Sequence, residues 1–209
     1  LPKEYHQDVF VGRAAVHRIE HQEDDYPFYL FVSFQGPHDP FDAPKELGDK
    51  YRASQIPAAI PPDMEGKPDR VRRRYATLYG HATAQDVLIA RRQYCAKIEL
   101  IDEQVGLILQ ALERRDFLRN TVVVFSSDHG EHVGDHGLFI TQTAYEPSLR
   151  VPLVVAGQPQ DEVPFAHDAG VFGPFNGLSH LLQVDMLGGL LQDLGVARLR
   201  ELEALVESR

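Results

Sequence analysis

The sequence predicts an α/β layered fold with a mostly parallel central sheet flanked by helices, and three observations carry that expectation. Short apolar runs rich in β-branched and aromatic residues recur along the chain, with longer stretches of helical periodicity between them. The runs are near-continuously apolar, as strands covered on both faces are. Two of them end directly in polar loops, at the edge where open α/β sheets collect their ligands.

The elements follow in order. Residues 8–20 (DVFVGRAAVHRIE) place apolar side chains at roughly helical spacing and read as an amphipathic helix. PFYLFVSF, 27–34, is bounded by Pro27 and Gly36 and reads as a buried strand. Residues 36–72 hold seven prolines and many charges, which predicts a long irregular excursion with short helical turns. The clearest helix is 85–115. There Leu88, Tyr94, Cys95, Ile98, Ile101, Val105, Ile108 and Leu112 recur every three or four positions, with Lys97, Glu103 and Arg114 facing elsewhere. Asn120 and Thr121 lead into a second strand, TVVVFSS, and RVPLVVAG (150–157) reads as a third. Pro159 to Pro174 reads as loop, and 178–195 as a helix weakened by Gly188 and Gly189.

Composition narrows the partners. The chain has 209 residues and a formal net charge of -10, which argues against a nucleic-acid backbone as the main ligand. RVRRR (70–74) runs against that balance and reads as a solvated loop or helix start. The longest apolar runs fall short of the roughly 20 residues of a membrane span, and no signal-peptide pattern is visible. A single cysteine, Cys95, excludes an internal disulfide framework, and its place on the apolar stripe reads as packing.

Chemistry concentrates in two loops. SSDHGEHVGDHG, 126–137, packs three histidines, two aspartates and a glutamate among three glycines. Asp128 and His129 stand where a buried strand stops, and a carboxylate beside an imidazole can share one divalent cation; an N-cap aspartate with a hydrogen-bonded histidine is the alternative. Gly130 permits a turn that a Cβ would hinder. His132 reads as a surface-loop residue, because Gly134 and Gly137 argue against a helix-borne zinc pair and no HExxH pattern occurs. Asp135 and His136 read as hydrogen-bonding or ligating groups with neither favoured. In the other loop, GPHDPF, prolines at 37 and 40 restrict the backbone around His38. A histidine held in one direction at a strand's end suits proton donation to a leaving group or oxyanion, although a structural histidine in a Pro turn fits the same pattern. No G-x-S-x-G elbow or Gly-rich phosphate loop is present.

FVSFQGPHDPF, YCAKIELIDEQVGLILQALE, NTVVVFSSDHGEHVGDHGLF and YEPSLRVPLVVAG, in that order and spacing, resemble the sulfatases of the alkaline phosphatase superfamily. The resemblance covers about residues 8–157, with a weaker echo over 158–195, and implies an alkaline-phosphatase-like fold. It implies that Asp128 and His129 bind the active-site divalent cation and that His38 contacts the ester and assists the leaving group. The family's sulfate-binding lysine falls on Thr141, whose hydroxyl cannot make the same charge-assisted contact. His136 and Thr141 are then substrate-binding or supporting residues. Calcium is the ion the resemblance implies, with manganese the alternative that an imidazole suits.

Family members also carry an upstream Cys/Ser-x-Pro-x-Arg motif whose first residue becomes a formylglycine nucleophile, and this chain has none. The expectation is therefore an incomplete catalytic domain, a fragment or a truncated relative, inactive alone. Its substrate would be a small-molecule or glycan sulfate ester. Phosphodiester or phosphonate monoester hydrolysis, or a non-catalytic role in binding an anion or a protein, are the alternatives.

Overall fold

One long helix organises everything else. In the computed structural model, which describes residues 2–23 and 26–157, helix α4 runs Ala84–Arg114. Its start is set by a reciprocal cap, in which Thr83 Oγ1 accepts from the Asp86 amide and the Asp86 carboxylate accepts from the Thr83 amide. Helix α1, Gln7–Glu20, packs along it and reproduces the expected 8–20 element. The two approach closely at Gly12, where a Cβ would fall 2.5 Å from Gln104 Oε1.

Three apolar clusters line α4 from its carboxyl end to its amino end. Ile101, Val105, Leu109 and Leu112 meet Ile19 of α1 and the sheet residues Val154 and Ala156. Cys95, Ala96 and Leu100 meet Val9, Leu47, Tyr51 and Ile56. Ala90 and Tyr94 meet Val133, with Phe41 and Phe139 packed around them. That last group matters for function, because Phe41 follows the His38 turn and Val133 belongs to the histidine-rich loop. Cys95 is buried, and burial pushes its thiol up to about 11, so it serves as a packing residue.

Among the described residues the sheet has two strands and does not show the expected parallel order. Strands β1 (Val123–Ser126) and β2 (Leu153–Ala156) pair antiparallel, with Val123 opposite Ala156 and Phe125 opposite Val154. A parallel neighbour needs a crossover, usually a helix. Residues 127–152 instead form an irregular loop that turns the chain back on itself, with a 3-10 turn at Asp135–Gly137 and the short helix α5 (Glu146–Leu149) within it. Residues 27–34 carry no ladder partner among the described residues, so the expected first strand is absent as a paired element. Their burial still alternates with a period of two. Phe28, Leu30 and Phe34 pack against the α4 cluster, while Tyr29 and Phe31 are 88% and 75% exposed. Val124 and Leu153 share the sheet's other, uncovered face.

The excursion behaves as expected, with short helices α2 (Lys45–Gly48) and α3 (Asp69–Arg74). RVRRR lies wholly within α3, where Arg72 and Arg73 are exposed. Among the described residues no helix is long and apolar enough to cross a membrane. The helix expected over 178–195 lies outside the described residues.

Candidate active site

The two chemistry-bearing loops meet. The imidazole rings of His38 and His129 lie 5.8 Å apart, edge to face. His38 sits in the turn that follows 27–34, and His129 in the loop that follows β1, so both stand just past the ends of apolar segments held on α4.

The His38 ring is anchored to its own turn. Its Nδ1 is 2.8 Å from the Asp39 carbonyl oxygen and 3.0 Å from the Asp39 carboxylate, so the ring is held through Nδ1. The turn in turn is gripped from two helices. Asp8 of α1, fully buried, accepts from the amides of Gln35 (2.9 Å) and Gly36 (3.1 Å). Lys97 of α4 donates to the carbonyls of His38 (2.8 Å) and Pro40 (3.0 Å), and to the Asp42 carboxylate (3.3 Å). Lys97 is only 2% exposed, which corrects the expectation that it faces away from the core. Gly36 is required by close packing, since a Cβ there would fall 2.5 Å from Asp8 Oδ2.

Asp128 and His129 are held lightly. Asp128 has an 87% exposed side chain, and one oxygen accepts from the His129 amide at 3.0 Å. His129 Nδ1 donates to the Gly130 carbonyl at 2.9 Å, which fixes the tautomer and leaves the Nε2 lone pair open. The other Asp128 oxygen lies 3.7 Å from that Nε2. A carboxylate oxygen and an open imidazole nitrogen at this spacing suit one divalent ion bound roughly 2.0–2.6 Å from each. They fit as part of a coordination shell. Among the described residues no group of three or more His, Cys, Asp or Glu side chains could hold a metal by itself.

The rest of the histidine-rich loop does other work. His132 is fully buried, contrary to the surface-loop expectation; its Nε2 shares a 2.6 Å hydrogen bond with Thr143 Oγ1. Burial holds its pKa down to about 4, with the neighbouring His136 acting in the same direction. Asp135 is also buried and accepts from Arg91 Nη2 at 2.7 Å and from the Ile60 amide at 2.8 Å. His136 stacks on Tyr145 at 4.4 Å between centroids. Glu131 is buried and accepts from the amides of Ile140 and Val133; burial raises its pKa, and the charge of Asp39 adds to that. Thr141 is half-buried beside Ile140, and Arg74 reaches its neighbour Gln142 at 2.7 Å.

Gly130 is needed for a closer reason than turn freedom. Its amide donates to the Ser148 carbonyl at 2.9 Å, and a Cβ would lie 2.0 Å from the Pro147 oxygen. Backbone strain gathers further along, with φ of 43° at Val133 and 64° at Ile140, both β-branched. Sequence reasoning passed over Asp8, Lys97, Glu131 and Arg91. For Asp8, Arg91 and Lys97 the signal that could have found them is the presence of ionisable residues at core positions of α1 and α4; Glu131 lies in the loop, where no such periodicity exists.

The described residues share the fold of known ester hydrolases. The phosphonate monoester hydrolase of Agrobacterium radiobacter superposes with a TM-score of 0.63 at 24% identity, over 74% of this chain and 34% of that one. The chain belongs to the sulfatase family, whose family model it matches over residues 4–184. It is 35% identical to a choline-sulfatase of Rhizobium meliloti over 74% of this chain and 32% of that protein. It is 29% identical to a multifunctional alkaline phosphatase superfamily protein of Trinickia caryophylli, over 76% of this chain and 34% of that protein. The chain thus spans about a third of the length of the curated relatives it matches.

Proposed function

We propose that this chain carries one side of the active site of a hydrolase that cleaves a sulfate ester. The observation that carries the reading is the meeting of His38 and His129, brought from two loops to 5.8 Å at one edge of the α4 frame. Asp128 and His129 would hold a divalent ion, calcium by family resemblance or manganese by ligand type. Such an ion neutralises charge on the ester oxygens when bound. His38, held through Nδ1–H on Asp39, would give a proton from Nε2 to the leaving oxygen when its ring is doubly protonated. His136 and Thr141 would line the pocket beside the ester. The formylglycine nucleophile that the family uses has no counterpart motif in this chain, so the reading places it outside these residues and expects no turnover by the chain alone.

The alternative is a second substrate, a phosphonate monoester or phosphodiester, on the same residues, since a phosphonate monoester hydrolase shares the fold. Initial rates of the natural polypeptide that carries this chain, on an aryl sulfate and an aryl phosphonate with calcium or manganese, separate the two. The expected result is faster sulfate cleavage, with His38→Ala lowering kcat by roughly 10²–10⁴-fold. No turnover of either ester with either metal would overturn the hydrolase reading in favour of a non-catalytic anion-binding relative.

A further inference from the structure

The buried cation beside the His38 turn belongs to a residue with no direct part in the chemistry. Lys97 is almost fully buried on α4, where the neighbouring Cys95, Ala96 and Leu100 form an apolar cluster. Burying an ammonium costs heavily unless its donors are met. All three donors of this one are met, and all three acceptors belong to residues 38–42. Two are backbone carbonyls: that of His38 lies in the peptide plane that leaves His38, and that of Pro40 lies two residues further along the turn.

The hydrogen bonds of the His38 ring return to Asp39, within the same turn. The ring is therefore as well placed as the turn is, and no better. Asp8 fixes the entrance of the turn through the Gln35 and Gly36 amides, and Lys97 fixes its middle through carbonyls. The grips are complementary, an anion on amides and a cation on carbonyl oxygens, and they come from two helices locked together at Gly12. An apolar side chain at position 97 would leave the His38 and Pro40 carbonyls without this partner and free the turn to rotate.

We infer that Lys97 is a positioning residue for His38, holding its imidazole against His129 through the charge-assisted grip on the His38 and Pro40 carbonyls. The inference rests on the reading of His38 as the proton-donating group, and it concerns ring placement rather than turnover.

Long-range nitrogen–proton NMR of the chain's histidines, with nuclear Overhauser contacts between the two rings, tests it. In the unmodified chain His38 should carry its proton on Nδ1 and contact His129. Lys97→Met should retain the helical circular dichroism of α4 but lose the ring contact and the single tautomer, and Lys97→Arg should restore the contact in part. A folded Lys97→Met chain that keeps both signatures overturns the inference. A second measurement needs no variant. The Lys97 ammonium protons should exchange slowly with water, and rapid exchange would overturn the inference even if the Met variant does not fold. None of these signals depends on ester cleavage. A chain that turns over nothing leaves the inference standing, and a lost ring contact leaves the hydrolase reading to its own assay.

Discussion

The two halves of the histidine-rich loop share a composition and do opposite work. Glu131, His132 and Asp135 are buried and bonded to neighbouring segments, to Ile140, Thr143 and Arg91. Asp128 is exposed and His129 half-buried, and their side-chain hydrogen bonds stay within the pair and its next residue. The first group is tied to distant segments, although Glu131 Oε2 and His132 Nδ1 are buried without a hydrogen-bond partner, and the second is bonded only locally. In a loop dense with ligand-type side chains, what separates structure from chemistry is whether a side chain is buried against other segments or left accessible to a ligand.

The largest effect should come from the buried half. Arg91→Met leaves Asp135 buried without its guanidinium, a change that typically costs about 3–5 kcal/mol. Denaturant unfolding should show that loss, and replacing Asp135 with Leu in the same chain should recover most of it. A loss below about 1 kcal/mol would mean that the Arg91–Asp135 pair is not a structural anchor.

Acid should act next. His132 is neutral when folded, with a pKa near 4, against about 6.5 in an unfolded chain. Its native state therefore carries no penalty above pH 6.5 and loses stability as pH falls toward 4. The full difference is at most about 3 kcal/mol at 1.36 kcal/mol per unit. Glu131, whose carboxyl is raised, acts in the opposite sense as pH rises, so the signal is read as a difference from His132→Gln. That variant should flatten the limb between pH 6.5 and 4, and an unchanged limb would refute the buried, neutral histidine.

Gly130→Ala should cost about 1–3 kcal/mol, the usual range for forced overpacking, because its Cβ meets the Pro147 backbone. Wild-type stability in the variant would mean that α5 does not lie against the loop. This position also marks how far the sequence could be read. That Gly130 is needed was legible from the turn, but the neighbour that needs it arrives from Pro147, and nothing local announces it. Helix α4 was legible because its stripe repeats and Thr83 and Asp86 cap it. The apolar run of 27–34 was legible but its alternation was not, because Tyr29 and Phe31 are as apolar as the residues that pack, and its missing ladder depends on neighbours that a single run cannot reveal. Lys97 read as a solvated residue because its acceptors lie in a Pro-rich segment far away in the chain. His132 read as surface because glycines on either side hide the burial that Val133 and Tyr145 impose.

The smallest effect on folding should come from the residues closest to the chemistry. Asp128→Ala and His129→Ala remove side chains bonded only to their own neighbours, and changes of that kind usually stay within about 0.5 kcal/mol. Each should nonetheless reduce divalent binding, measured by calorimetry with calcium and with manganese. That binding should be weak in the chain alone, because two donors fill only part of a shell. His132→Ala should leave it nearly unchanged. Tight binding that disappears with His132→Ala would reverse the division drawn between the two halves, making the buried histidine a ligand and the exposed pair an ordinary turn.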